Sequence, residues 1–189
     1  MRPSVFILAM VLLPGFASGA AERYTIDPSH TYPHFEISHL GFSTLRGRFN
    51  STSGSLTVDW EKKTGAVEVV IAADSVDTGF KKRDDHLRSP DFLNAAEFPE
   101  ITFKSTEIKI ADDGKSATVK GDLTITGVTR PVTLEVARIH CGVNPINKKQ
   151  TCGFDATTRI KRSDFGVTYG LPGVGDDMAL LLEVEAVKQ

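Results

Sequence analysis

Cysteine is scarce in this chain: Cys141 and Cys152 are the only two among 189 residues. Two thiols alone do not make a zinc site, and their spacing is far too wide for a Cys-x-x-Cys redox couple. An excess of one charge is missing too, since 22 Lys and Arg stand against 24 Asp and Glu for a formal net charge of −2. So even a balance supplies no basic surface for a nucleic-acid partner. After residue 21 no stretch stays apolar for the roughly 18 residues that a membrane-crossing helix needs, which excludes stable insertion of that kind. The sequence also lacks a Gly-x-Ser-x-Gly elbow, a His-Glu-x-x-His zinc motif, a Walker loop and a strand-borne Gly-x-Gly-x-x-Gly. The usual grounds for assigning an enzyme are therefore missing, and the chain reads as a binding protein. Linkers rich in Pro, Ser or Gly, low-complexity tracts and internal repeats are absent, and the length suits one domain with a substantial core.

What is present begins with an export signal over residues 1–21: Arg2 supplies the charged start, Val5 to Phe16 form a short apolar run, and Ala17-Ser18-Gly19-Ala20-Ala21 offer small residues for cleavage. Its removal takes away one of the 22 cations and leaves a net charge of −3 on a single domain, residues 22–189. Export into an oxidising compartment makes a Cys141–Cys152 disulfide the expected state. Such a bond contributes about 3 kcal/mol in the chain-entropy model. The enclosed Gly142, Asn144-Pro145, Asn147 and Lys148-Lys149 read as a hairpin connection.

Beyond the signal the hydrophobic pattern has a period of two. Ala117, Val119, Gly121, Leu123 and Ile125 share one face and Thr118, Lys120, Asp122 and Thr124 the other. The rhythm recurs in Val132, Leu134 and Val136, and in Phe154, Ala156, Thr158 and Ile160. Each reads as a strand with one wet face. Further strands are expected near 30–37, 45–58, 66–73, 101–110 and 179–187, about eight in all, with turns at Asp112-Asp113-Gly114 and around Gly127. Apolar parity flips between Ile101 and Phe103 and Ile108 and Ile110, which predicts a bulge. Lys81 to Ser89 pairs Lys81 with Asp85 and Asp84 with Arg88 at helical spacing and stops at Pro90. With the apolar Phe92, Leu93, Phe98 and Pro99 behind it, this segment is expected to cap one end of a closed barrel, since closure is how such strands avoid exposed edges. Small residues on the apolar faces (Ala73, Ala117, Gly121, Ala156) suit a tapering cavity and a filled core equally.

Candidate chemistry is weak. His30 and His34 face one side of an extended chain and His39 the other, with Pro33 opposing a helix that would realign them, so no metal site is expected. Asp84, Asp85, His86 and Asp91 read as a solvated, self-paired helix surface. The Gly-rich stretch from Phe165 to Gly175 lacks the Lys-Ser/Thr ending of a phosphate loop and reads as a flexible connection on the rim, with Phe165, Tyr169 and Leu171 flanking an entrance. Asn50-Ser51-Thr52 is a formal glycosylation sequon.

Four strings occur in order along the chain: Phe35-Glu-Ile-Ser-His-Leu-Gly41, Asp85-His-Leu-Arg-Ser-Pro-Asp-Phe-Leu93, Phe98-Pro-Glu-Ile-Thr-Phe103 and Gly121-Asp-Leu-Thr-Ile-Thr-Gly-Val-Thr-Arg-Pro-Val132. Together they resemble the YceI-like family of bacterial periplasmic proteins. The resemblance implies an all-β, lipocalin-like eight-stranded antiparallel β-barrel with a short capping helix. It further implies a periplasmic location, a homodimer, and a bore that binds a polyisoprenoid, an isoprenoid quinone or another long-chain lipid or amide with no cofactor. Large apolar residues at matching positions then give an expected tunnel wall of Phe35, Ile37, Phe49, Val69, Ile71, Phe92, Phe98, Ile101, Phe103, Leu123, Phe154 and Leu182, with His34 and Tyr169 at the mouth or head group. Two rival functions follow from the same residues. One is a small hydrolase or isomerase acting on such a lipid through His34, His86 and Asp91; the other is a filled barrel that docks a membrane redox protein.

Overall fold

The computed structural model describes residues 21–189. Apart from Ala21, the expected export signal lies outside the described residues. The strands are β1 (Glu22–Ile26), β2 (Tyr32–His39), β3 (Ser43–Phe49), β4 (Thr52–Asp59), β5 (Thr64–Ala72), β6 (Val76–Asp77), β7 (Glu100–Ile110), β8 (Ala117–Ile125), β9 (Val128–Val143), β10 (Gln150–Lys161) and β11 (Val174–Lys188). One helix, α1 (Lys81–Leu87), separates β6 from β7. All pairings are antiparallel, and β11 returns to pair with both β1 and β2, which closes the sheet.

These segments make an eight-stranded antiparallel barrel because three of its staves are broken. Strands β1 and β2 run in line beside β11, β3 and β4 are in line, and β5 continues into β6. Each break has a local cause. Pro28 lacks an N–H for a ladder, and the Asp27 carboxylate accepts the Ser29 N–H at 2.9 Å, turning the chain between β1 and β2. The other two breaks hold each other: the Asn50 N–H donates to the Ser75 carbonyl and the Ala72 N–H to the Ser51 carbonyl, both at 3.0 Å. The expected parity flip in β7 is a bulge at Thr106, since Ser105 faces Gly121 while Glu107 faces Lys120.

One end of the barrel, here the upper one, carries α1 and the connections 40–42, 78–99, 126–127 and 162–173. Strand β9 meets β10 at the lower end, where Cys141 and Cys152 are direct cross-strand partners and form the disulfide that closes this hairpin. Tyr24, Ile26, Leu56, Val58, Cys152 and Ala186 pack into a buried cluster at this level. The outer face carries ion pairs such as Lys104–Glu68 (2.7 Å) and Lys120–Glu107 (2.9 Å). Barrels that cross membranes show an apolar band there instead. Among the described residues no helix is long and apolar enough to cross a membrane.

Candidate functional site

The inward positions of the staves do not meet. They enclose a cavity of about 830 Å³ that runs from Tyr169 at the upper rim to Trp60 near the lower end. The nine residues of β8 set its scale: at about 3.3 Å per residue and a tilt near 40°, the wall is about 20 Å tall. The bore is open for a reason visible at two glycines. A Cβ on Gly121 would lie 2.4 Å from Cζ of Phe103, and one on Gly47 would lie 2.4 Å from Cζ of Phe35. Both rings therefore recline over bare backbone, along the wall instead of across the lumen.

The expected wall residues Phe35 and Ile37 from β2, Phe49 from β3, Val69 and Ile71 from β5, Ile101 and Phe103 from β7, Leu123 from β8, Phe154 from β10 and Leu182 from β11 all line this cavity, as does Phe92 behind α1. Phe98 does not. Its ring covers the β8–β9 turn, where a Cβ on Gly127 would fall 2.8 Å from it, so this phenylalanine seals a turn from outside the lumen. Alternation marked further lining residues (Val119, Val132, Leu134, Val136, Ile160) that the resemblance had not singled out. Trp60, Arg162 and Val167 also line the space but sit outside any alternating run, so no sequence signal pointed to them.

At the upper end α1 lies over the lumen, contributing Lys82, Arg83, His86 and Leu87 to its lining. Two arginine and carboxylate anchors fix it. The Asp84 carboxylate accepts the Thr78 N–H at 2.9 Å, while Arg88 donates to the Asp74 carbonyl (2.6 Å) and the Val76 carbonyl (2.9 Å). His86, Phe92 and Tyr169 form an aromatic triangle with centroids 5.0–5.2 Å apart. Tyr169 and Phe80 line the cavity and are yet half-exposed, so the mouth lies at these rings. The connection expected to be flexible is tied down instead: the buried Arg162 donates to the carbonyls of Gly175, Val167 and Val174 at 2.8–3.0 Å, and the Ser163 N–H and hydroxyl both reach Asp176. Burial lowers the pKa of Arg162, with the nearby Asp176 opposing the shift. Phe165 and Tyr169 face the cavity; Leu171 does not.

The histidines do not converge. His34 borders the lumen, but its Nε2 is 3.2 Å from Oε1 of Glu183, an outward residue of β11, so its imidazole sits on the outer wall and not at the mouth. Nε2 of His86 is 2.9 Å from Oδ2 of Asp91 at the rim, apart from His34, so the three residues of a hydrolase reading are not assembled. His30 groups with Asp27 and Glu185 and not with His34 or His39. Its hydrogen bond to Asp27 (2.9 Å) raises its pKa. At the lower end Glu22 accepts from Lys188, Tyr24 and Trp60, contacts that hold its pKa low. Burial and Glu22 push the Tyr24 phenol up to about 12.

A closed up-and-down barrel around an apolar chamber leaves room for a hydrophobic molecule inside its wall. The YceI-like domain model matches residues 24–186, nearly the whole described barrel, and the chain belongs to that family. It is 42% identical over 188 residues to Protein YceI of Salmonella arizonae, covering 97% of this chain and 96% of that protein. Among solved structures it resembles BcnA of Burkholderia cenocepacia (TM-score 0.73, 25% identity, 85% of this chain and 98% of that one). A polyisoprenoid binding domain from Saccharophagus degradans, implicated in plant cell wall breakdown, shares the fold (TM-score 0.63, 16% identity, 88% of this chain and 98% of that one).

Proposed function

We propose that this protein is a non-enzymatic carrier that holds one long apolar lipid, of the polyisoprenoid, isoprenoid quinone or fatty-chain amide class, lengthwise in the barrel. The observation that carries this reading is the unfilled lumen, continuous from Tyr169 to Trp60 and walled almost wholly by apolar side chains. Each buried methylene contributes roughly 0.8 kcal/mol, so a chain of about 20 carbons gains on the order of 15 kcal/mol gross. Association and ordering cost about 4–15 kcal/mol, which leaves an affinity set by how much chain is sheltered. Contacts of this kind are non-directional and select for length and girth. That a polyisoprenoid binding domain from Saccharophagus degradans is built on the same fold agrees with the ligand class.

The leader read at residues 1–21 and the Cys141–Cys152 disulfide support a working place in the periplasm. Gentle purification followed by organic extraction and mass spectrometry tests the carrier: a stoichiometric long-chain molecule is expected, and repeatedly empty extracts from a folded protein contradict it.

A further inference from the structure

The ionisable side chains that line the lumen are sorted by sign. His34, His39, Lys82, Arg83, His86 and Arg162 border it, together with Tyr169, and among the described residues no carboxylate does. At the mouth the sorting is done by α1. Its lining residues, Lys82, Arg83, His86 and Leu87, recur at i, i+1, i+4 and i+5 and so form one stripe of the helix. The two acids of α1 fall off that stripe and are engaged elsewhere: Asp84 is buried and accepts the Thr78 N–H at 2.9 Å, and Asp85 pairs with Lys81 (2.7 Å) and Arg88 (3.1 Å).

Several of these cations are already occupied. Arg162 donates to three carbonyls, His34 turns to Glu183 on the outer wall, and Nε2 of His86 meets Asp91 at 2.9 Å. Arg83 has no carboxylate partner. Its Nε and Nη2 donate to the hydroxyl and carbonyl of Thr78 (2.6 and 2.7 Å), which holds the guanidinium in place and leaves Nη1 without an acceptor among the described residues. Lys82 is exposed and makes no hydrogen bond or ion pair among the described residues. The mouth thus keeps two neighbouring cations that no carboxylate neutralises, beside a lumen that holds no anion of its own. A carboxylate supplies what they lack, since it is a monoanion with two acceptor oxygens. A head group of higher charge would gain less, because Asp85 and Asp91 lie on the same cap. Resting on the carrier reading above, we infer that Lys82 and Arg83 form a seat for the carboxylate of a long-chain acid whose tail runs down the lumen towards Trp60. A neutral head group gains no ion pairing there.

The test uses the purified protein stripped of cargo and two probes of equal chain length, a long unsaturated fatty acid and the corresponding alcohol, at a pH where the acid is ionised. Wild type and Lys82→Met should bind the alcohol equally. The acid should bind the variant about tenfold more weakly at low salt, the value of one charge-assisted hydrogen bond, and the gap should close as salt screens the mouth. Lys82→Arg should keep the acid, and Lys82→Glu should weaken it further. None of these should move the melting temperature, since the Lys82 side chain bonds to nothing among the described residues. Lys149→Met, at the lower hairpin and with the same change of net charge, should leave acid binding intact. The carboxyl carbon of a ¹³C-labelled acid should titrate at lower pH when bound to wild type than to Lys82→Met, because a nearby cation favours the ionised head. Acetate, the same anion without a tail, should not displace the bound acid. An acid affinity unchanged in Lys82→Met, an equal loss for acid and alcohol, a loss matched by Lys149→Met, or displacement by acetate overturns the seat and leaves the carrier standing. Failure of wild type to bind either probe overturns both.

Discussion

At the scale of single residues, the open lumen depends on atoms that are missing. Gly121 and Gly47 give Phe103 and Phe35 a place to lie flat, and adding one methyl group at Gly121 sets it 2.4 Å from the ring. Gly121→Ala should swing Phe103 into the bore and lower the affinity for a long chain at least tenfold, and it should also cost stability because the same methyl falls 2.6 Å from the Lys104 carbonyl oxygen. Isothermal titration with a long-chain ligand checks this, and unchanged affinity would show that the ring has other room. Tyr24 makes a second prediction. Its pKa rises from 10.0 to about 12 in the fold because the phenol is buried and donates to Glu22. The folded state therefore keeps a proton that the unfolded chain has lost between these values, so this contribution is whole below pH 10 and disappears as pH climbs towards 12. Urea titrations across that range should show stability falling with a steeper slope in wild type than in Tyr24→Phe; equal slopes would contradict the assignment.

Elements differ in how plainly the sequence announces them. Strand β8 is legible because Ala117 to Ile125 alternate without exception, and the bulge at Thr106 is legible because one extra residue inverts the parity of everything after it. The corner where β3 passes into β4 carries no such mark: Asn50-Ser51 is polar and looks like any strand edge, and its bonds to Ser75 and Ala72 join residues more than twenty positions apart. Strand β1 is five residues long and its role is to close the ring against β11, a long-range pairing that no local pattern encodes. Phe98 misleads for a related reason, since an apolar residue beside the cap can face a turn as well as a lumen. The helix α1 was legible from its i,i+4 charges, of which Lys81 and Asp85 do pair, whereas Arg88 reaches Asp85 and two backbone carbonyls instead of the expected Asp84. Arg88→Ala should free α1 from β6 and speed ligand release severalfold while equilibrium stability drops by about 1–3 kcal/mol. Stopped-flow displacement of a fluorescent fatty chain measures that rate, and an unaltered rate would mean the cap does not gate the mouth.

For the molecule as a whole, the decisive property is a wall that is polar outside, oily inside and not filled. A negative charge in that wall has no partner, so Leu123→Asp should abolish ligand retention and cost several kcal/mol of stability. The single tryptophan offers the most direct probe of the claim itself, since Trp60 lines the end of the lumen remote from Tyr169. Titrating the protein with a long alkyl chain brominated at its tip should quench Trp60 fluorescence saturably at one chain per barrel, with a short brominated chain far less effective. Absence of saturable quenching by the long chain, in protein shown to be folded and empty, would mean that no hydrocarbon threads the barrel.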